Sequence, residues 1–252
     1  MHPESVVCHV LGMTGDGANA SEISRSTGLP RRTVSDWING KVPGRAPRRP
    51  RSPRPVRHIA LHSATAAAYC YLLGVYLGDG HLTSRGGSTR LRLTLDLSYP
   101  RIIESTAEAI RRVEPLATVR IHPRSDAGCA DVTCYSSAWP SLFPQHGPGP
   151  KHLRDVSLTA WQRGLTARDP AAFVRGLIHS DGSRYIARQR RGDAVYEYSR
   201  YCFNNRSSDL IRDFFAHLDM LGVRWTIPRR DCVQVARRES VETLDRLVGP
   251  MR

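Results

Sequence analysis

The sequence predicts an α+β chain made of two similar halves, preceded by a small all-helical domain. Three observations carry this reading. Leu72-Leu73-Gly74-Val75-Tyr76-Leu77-Gly78-Asp79-Gly80 and Val174-Arg175-Gly176-Leu177-Ile178-His179-Ser180-Asp181-Gly182 are apolar, helix-like runs with small residues four apart, and both end in Asp-Gly. Their acids stand about a hundred residues apart, the length of a small domain core. The segments that follow the two runs repeat one order of elements, and a short arginine-bearing helical pair precedes both. Small residues at Gly74 and Gly78, and at Gly176 and Ser180, would let two helix backbones pack closely and bring both terminal carboxylates together.

Composition narrows the class of partner. Of 252 residues, 40% are hydrophobic and 24% charged, a globular balance. The formal net charge of +14 favours a polyanion such as nucleic acid over acidic proteins. Only Lys41 and Lys151 are lysines; the arginine bias suits phosphate and guanine but also follows from GC-rich coding. A basic ribosomal or membrane-surface protein would not need two Asp-Gly helices. Six cysteines without a CxxC pair read as free thiols of a reducing cytoplasm, and Cys129 and Cys134 as strand cysteines rather than metal ligands. No run reaches membrane-spanning length and Met1-His2-Pro3-Glu4 is no signal peptide, so a soluble, cytoplasmic, nucleoid-associated monomer without an obligate protein partner is expected.

Residues 1–40 read as a helix-turn-helix DNA-binding domain. Ile23, Leu29, Val34 and Trp37 fall where two short crossed helices bury apolar side chains, Ser24 is small at their approach, and Gly28 suits the turn's positive φ. Pro30 loses no amide bond in the first turn of the second helix. Arg31, Arg32, Ser35 and Asn39 then lie outward, where a recognition helix meets base edges and phosphates. Residues 41–65 form a linker. Its proline spacing favours an extended strap, and seven of the residues 41–57 are basic, so Arg48 and Arg49 are expected to track phosphates.

The rest divides into residues 66–150 and 151–252. After Gly80, a hairpin leads to the strand Arg90–Leu97, with Arg90, Arg92, Thr94 and Asp96 on one face and leucines on the other. Such a sheet could present its arginine face to a major groove. Tyr99-Pro100 opens a helix with Ile102, Ile103, Ala107, Ile110 and Val113 on one side; strands around 118–122 and 130–135 and a short helix near 139–143 follow. The second half repeats this order. A hairpin with a basic tip (Arg188, Arg190, Arg191) and a strand 195–203 lead to a helix bearing Leu210, Ile211, Phe214, Phe215, Leu218 and Leu221. Strands around 224–227 and 233–236 and a last helix 241–248 complete it. Each half is thus αββαββα.

A carboxylate at a helix C-terminus sits at the unfavourable end of the macrodipole, and two that meet also repel. A divalent cation removes both objections and leaves positions open for water and phosphate oxygens. The alternative is that each Asp-Gly merely caps a helix before a strand.

Both nine-residue motifs, their spacing and the element order resemble the LAGLIDADG homing endonucleases, from about residue 66 onward. The resemblance implies two pseudo-symmetric half-domains around paired motif helices, with two saddle-shaped sheets on double-stranded DNA. It implies cleavage of long, partly degenerate sites with Mg²⁺ (or Mn²⁺) held by Asp79 and Asp181, helped by the backbones of Gly78 and Ser180. The added helix-turn-helix and the segment 143–152 look like the free-standing actinobacterial type; intein splice-junction residues are missing. Leu77 and His179 depart from the motif, where the pattern has Asp. Family members also place a basic residue near each metal, a role that falls to Lys151 in the first half and to Arg237 and Arg238 in the second, with Gln145 and His146 ordering water. Two other functions share these surfaces: a non-cutting DNA-binding regulator that kept the fold, and an RNA-binding maturase, against which the helix-turn-helix stands.

Overall fold

The structure is a computed structural model that describes residues 3–40, 63–85 and 88–249. These form two compact units, one on each side of segment 41–62. The expected strap with Arg48 and Arg49 lies outside the described residues, as does the side chain of Arg191.

The N-terminal unit holds three helices, α1 (Glu4–Gly15), α2 (Ala20–Thr27) and α3 (Arg31–Ile38). Val10, Ile23, Val34 and Trp37 are buried together and Leu29 packs against them. Gly28 ends α2 at φ 69°, a left-handed conformation that favours glycine, and the Ser24 hydroxyl donates to the Leu29 carbonyl at 2.6 Å across the turn. Asn19 and Glu22 form a reciprocal capping box at the start of α2.

The larger unit begins with α4 (Ser63–Asp79), β1 (Gly80–Arg85), β2 (Ser88–Asp96), α5 (Pro100–Val113), β3 (Val119–Arg124), β4 (Cys129–Ser136) and α6 (Trp139–Leu142). A helix with no counterpart in the sequence reading follows, α7 (Ala160–Arg168), started by a Thr159–Gln162 capping box. The second half is α8 (Pro170–Asp181), β5 (Gly182–Arg191), β6 (Ala194–Asn204), α9 (Ser208–Met220), β7 (Thr226–Arg229), β8 (Cys232–Val235) and α10 (Arg238–Val248). Each half is therefore αββαββα, with an antiparallel sheet in the order β1-β2-β4-β3 or β5-β6-β8-β7.

Period-two patterning sets which face each sheet buries. On β2, Leu91, Leu93 and Leu95 are buried against the helices, each contributing about 1.5–3 kcal/mol, while Arg90, Arg92 and Thr94 point away. The expected apolar side of α5 is buried throughout.

The two motif helices pack backbone to backbone. A Cβ added at Gly74 would sit 2.6 Å from the Phe173 carbonyl oxygen and 2.7 Å from the Leu177 nitrogen; one added at Gly176 would collide with the Tyr71 carbonyl oxygen. At Gly78 it would meet the Ser180 side chain and stand 2.8 Å from Asp181 Oδ2. The small-residue faces thus seat α4 on α8 and carry Asp79 and Asp181 to the same end.

Candidate metal centre and nucleic-acid interface

Asp79 is the last residue of α4 and Asp181 the last of α8. Burial pushes the Asp79 carboxyl up to about 7, reinforced by the Asp181 charge and partly offset by Lys151. Burial also raises Asp181, opposed by its hydrogen bond from Asn205 and by Lys151. Both acids therefore press on each other where hydration is poor, and a cation would relieve both.

Lys151 sits beside the pair, brought there by the 3-10 turn Lys151–Leu153. Its ammonium donates to the carbonyls of Tyr76 (2.6 Å), Leu77 (3.0 Å) and Gly78 (2.8 Å) and lies over the Tyr76 ring at 5.1 Å. It therefore caps the last turn of α4, offsetting the dipole end where Asp79 stands. Burial lowers its pKa to about 8 against the pull of the two aspartates. All three ammonium protons are engaged with backbone, so the expected phosphate role gives way to a positioning one. The Arg154 guanidinium holds the preceding loop by donating to the carbonyls of Gly147 (2.7 Å), Pro148 (3.3 Å) and Gly149. Replacing Lys151 with methionine should lower stability by about 1.5–3 kcal/mol, read as a drop in the urea midpoint. An unchanged midpoint with weakened DNA binding would mark it as a phosphate contact instead.

Gln145, expected to order water, has its side chain committed elsewhere. It is buried and donates to Gln162 Oε1 (2.5 Å) and the Ser157 carbonyl (3.1 Å), while Gln162 in turn bonds the Tyr69 hydroxyl at 2.8 Å. This network ties α7 to α4 and takes Gln145 out of the expected water network. His146 is half-buried and lies edge-on to His81 at 6.3 Å. His81 was not anticipated. It follows Gly80 on the outward face of β1, paired with Arg92, and its pKa is lowered by burial and then by Arg92, His146, Lys151 and Arg154. Standing two residues after Asp79 was the signal that could have found it.

The second half is built differently. Asn205 Nδ2 donates to Asp181 Oδ2 at 2.8 Å, and Asn205 is itself fixed by the Ser207 amide (2.8 Å) and by its own amide bond to the Asp231 carbonyl (3.0 Å). A cleft of about 330 Å³ beside Asp181 is lined by Gly78, Lys151, Asn204, Asn205, Arg206 and Asp231, among others. Arg206 is exposed there, whereas the expected Arg237 and Arg238 do not line the cleft; Arg238 pairs with Glu242 at 2.9 Å on α10. Asn205 and Arg206 sit in a loop, so no periodicity marked them. His179 is buried against the Tyr71 hydroxyl (3.0 Å), and burial with Arg175 nearby lowers its pKa to about 4, so it packs as a neutral ring.

Two hard carboxylates at one end of a helix pair suit Mg²⁺, which keeps waters and takes phosphate oxygens. The Gly78 carbonyl, expected as a ligand, already accepts from Lys151 but has a second lone pair. Ser180 bonds back to the Gly176 and Leu177 carbonyls through its hydroxyl. Among the described residues, no cluster of three or more His, Cys, Asp and Glu side chains is present, and Cys129 and Cys134 fall on opposite faces of β4. No described helix is long and apolar enough to cross a membrane.

On the expected DNA faces, Arg90 and Arg92 point outward from β2. Arg31 and Arg32 are exposed on α3 and Asn39 is exposed at its C-cap, while Ser35 is half-buried, accepting from the Asn39 side-chain amide. Arg188 and Arg190 depart from expectation: their register partners Glu197 and Val195 share the strand face of Tyr201 and Phe203, which turns toward the helices further down the hairpin. Arg188 also pairs with Glu197 at 2.8 Å.

No protein-family profile matches the chain, and no curated protein matches it in sequence. Solved structures do resemble it. One is of mesophilic variants of the homing endonuclease I-DmoI, at 15% identity and a TM-score of 0.45, covering 75% of this chain and 99% of that one. Another is the LAGLIDADG meganuclease I-AabMI bound to uncleaved DNA, at 11% identity and 0.43, covering 71% and 82%. A third is full-length WhiA from Thermatoga maritima, at 15% identity and 0.48; it covers 76% of this chain, which spans 58% of WhiA. At such distances function has to be read from the site's own residues.

Proposed function

We propose that this chain is a site-specific double-strand DNA endonuclease of the LAGLIDADG homing type, hydrolysing phosphodiester bonds with Asp79 and Asp181 as ligands for Mg²⁺ (or Mn²⁺). The observation that carries this is the acid pair itself: two half-buried carboxylates, each ending one of two helices packed through glycine backbones, with Asp79 shifted to about 7. Nothing about packing requires two acids there, and their mutual repulsion is unfavourable until a cation is bound. The cation would supply Lewis-acid charge stabilisation at the scissile phosphate. Asn205 orients Asp181, Lys151 fixes the end of α4, and Arg206, His81 and His146 are the nearby groups able to meet phosphate or order water. The outward arginines of the first sheet hold the duplex at the cut, and α3 adds contacts to DNA beyond it.

A non-cutting regulator is the second reading, favoured by one observation: Lys151 and Gln145 are both committed to structural bonds. Incubation of the full chain with a library of host genomic DNA separates the two. The nuclease reading expects nicks or breaks with Mg²⁺ and none in EDTA. Tight binding to one sequence without cleavage under any divalent metal would establish the regulator.

A further inference from the structure

The two sheets share a topology but present different chemistry on their outward faces. Strand register places Arg90, Arg92, Arg120 and Arg124 together on the first sheet's outer face. None of the four has an acceptor among the described residues, and the Arg90 Nε is buried without a partner. On the second sheet, register places Tyr185, Ala187, Gln189, Tyr196 and Tyr198 outward. Tyr196 and Tyr198 stack at 6.5 Å, and all three tyrosines are well exposed. Among the described residues, the arginines on that side are partly engaged: Arg200 reaches Gln234 at 3.4 Å through its Nη1 while its Nε is buried without a partner, and Arg229 reaches Asn204 at 3.4 Å with Asp231 at 4.0 Å.

We infer that the chain reads a chemically split target, guanine-rich under the first sheet and A·T-rich under the second. This rests on the DNA reading above. In the major groove, guanine alone offers the paired O6 and N7 acceptors that a free guanidinium fork matches. Tyrosine rings and Ala187 suit the thymine methyl group, and Gln189 suits the N6 and N7 edge of adenine. Four unpaired forks on one surface and an aromatic, amide-bearing surface on the other therefore select opposite base compositions on the two sides of the acid pair.

Selection from a randomised duplex library with the full-length Asp79→Asn chain tests this. The enriched sequences should show guanine preference at several positions on one side of the centre and A·T preference on the other. Arg90→Ala and the more exposed Arg124→Ala should each cut guanine discrimination about 10–100-fold at one position of the guanine-rich side. Tyr198→Ala should relax only the other side. Enrichment of a target with no compositional difference between its sides would overturn the inference and leave the DNA reading standing. So would arginine variants that weaken all sequences equally while lowering the salt slope by about one, which marks phosphate contacts. No enriched sequence at all would overturn both.

Discussion

Asp79→Asn is expected to abolish DNA cleavage, by about a thousandfold or more, while making the metal-free protein more stable. The first effect follows from removing one of two anionic ligands from a cation worth several kcal/mol at a developing phosphate charge. The second follows from the direction of the pKa shift. An acid raised from 3.8 to about 7 favours the protonated native state. That advantage is present below the unfolded pKa and is lost as the pH rises from about 4 through 7. At pH 8 in EDTA the wild-type carboxylate is ionised beside Asp181 in a poorly hydrated site, and asparagine is not. Three units correspond to roughly 4 kcal/mol. That figure already includes the attraction to Lys151; solvent screening of the half-buried carboxyl reduces it to about 2 kcal/mol, or about 4–8 °C in Tm for a unit of this size. Thermal unfolding in EDTA at pH 4 and pH 8 checks it: the two proteins should nearly converge at pH 4, close to the unfolded pKa, and separate progressively up to pH 8. Mg²⁺ should raise the wild-type Tm and leave the variant unmoved. A variant that melts lower than wild type at pH 8 without metal would show that Asp79 is a structural cap.

The features legible in the sequence were those set by short-range pattern. The leucines of β2, the apolar side of α5 and the paired small residues of the motif helices each announce a face through spacing alone, and each buries that face. The roles that changed depend on long-range choices. Lys151 was visible as the lone lysine of the larger unit, but its destination is set by a loop that Arg154 pins, so the backbone takes it in place of phosphate. Arg188 and Arg190 were visible as a basic tip. Which face they share is decided by the register across the two-residue turn at Gly192 and Asp193 and by the pairing of β6 with β8, four residues at the far end of the strand. Gln145 needed α7 as a partner, and α7 carries a mixed surface with little periodicity. Asn205 and Arg206 sit in a turn where identity, not pattern, carries the information.

Gly176→Ala should be the most destructive single change in the larger unit. The new methyl would fall on the Tyr71 carbonyl oxygen and 3.0 Å from the Gly74 Cα, and both obstacles are backbone. No rotamer change can clear it; α4 and α8 must move apart along their whole contact. Overpacking a core costs about 1–3 kcal/mol where side chains can yield, so a backbone clash at the central helix pair should reach about 3 kcal/mol or more, a large share of a domain's stability. Gly74→Ala meets the Phe173 carbonyl from the other side and should cost as much. The two together should cost less than the sum, since the first separation relieves the second clash. Gly164 on α7 supplies the control: a Cβ there meets nothing within 4 Å, so Gly164→Ala should stabilise by about 0.5–1 kcal/mol through helix propensity. Urea midpoints for the three single variants and the double variant decide it. Parting the helices also parts the acids, so a Gly176→Ala protein that stays folded should lose its Mg²⁺-induced rise in Tm. Equal stability of Gly176→Ala and wild type would mean that the helices do not meet through these glycines, and the shared acid site would go with them.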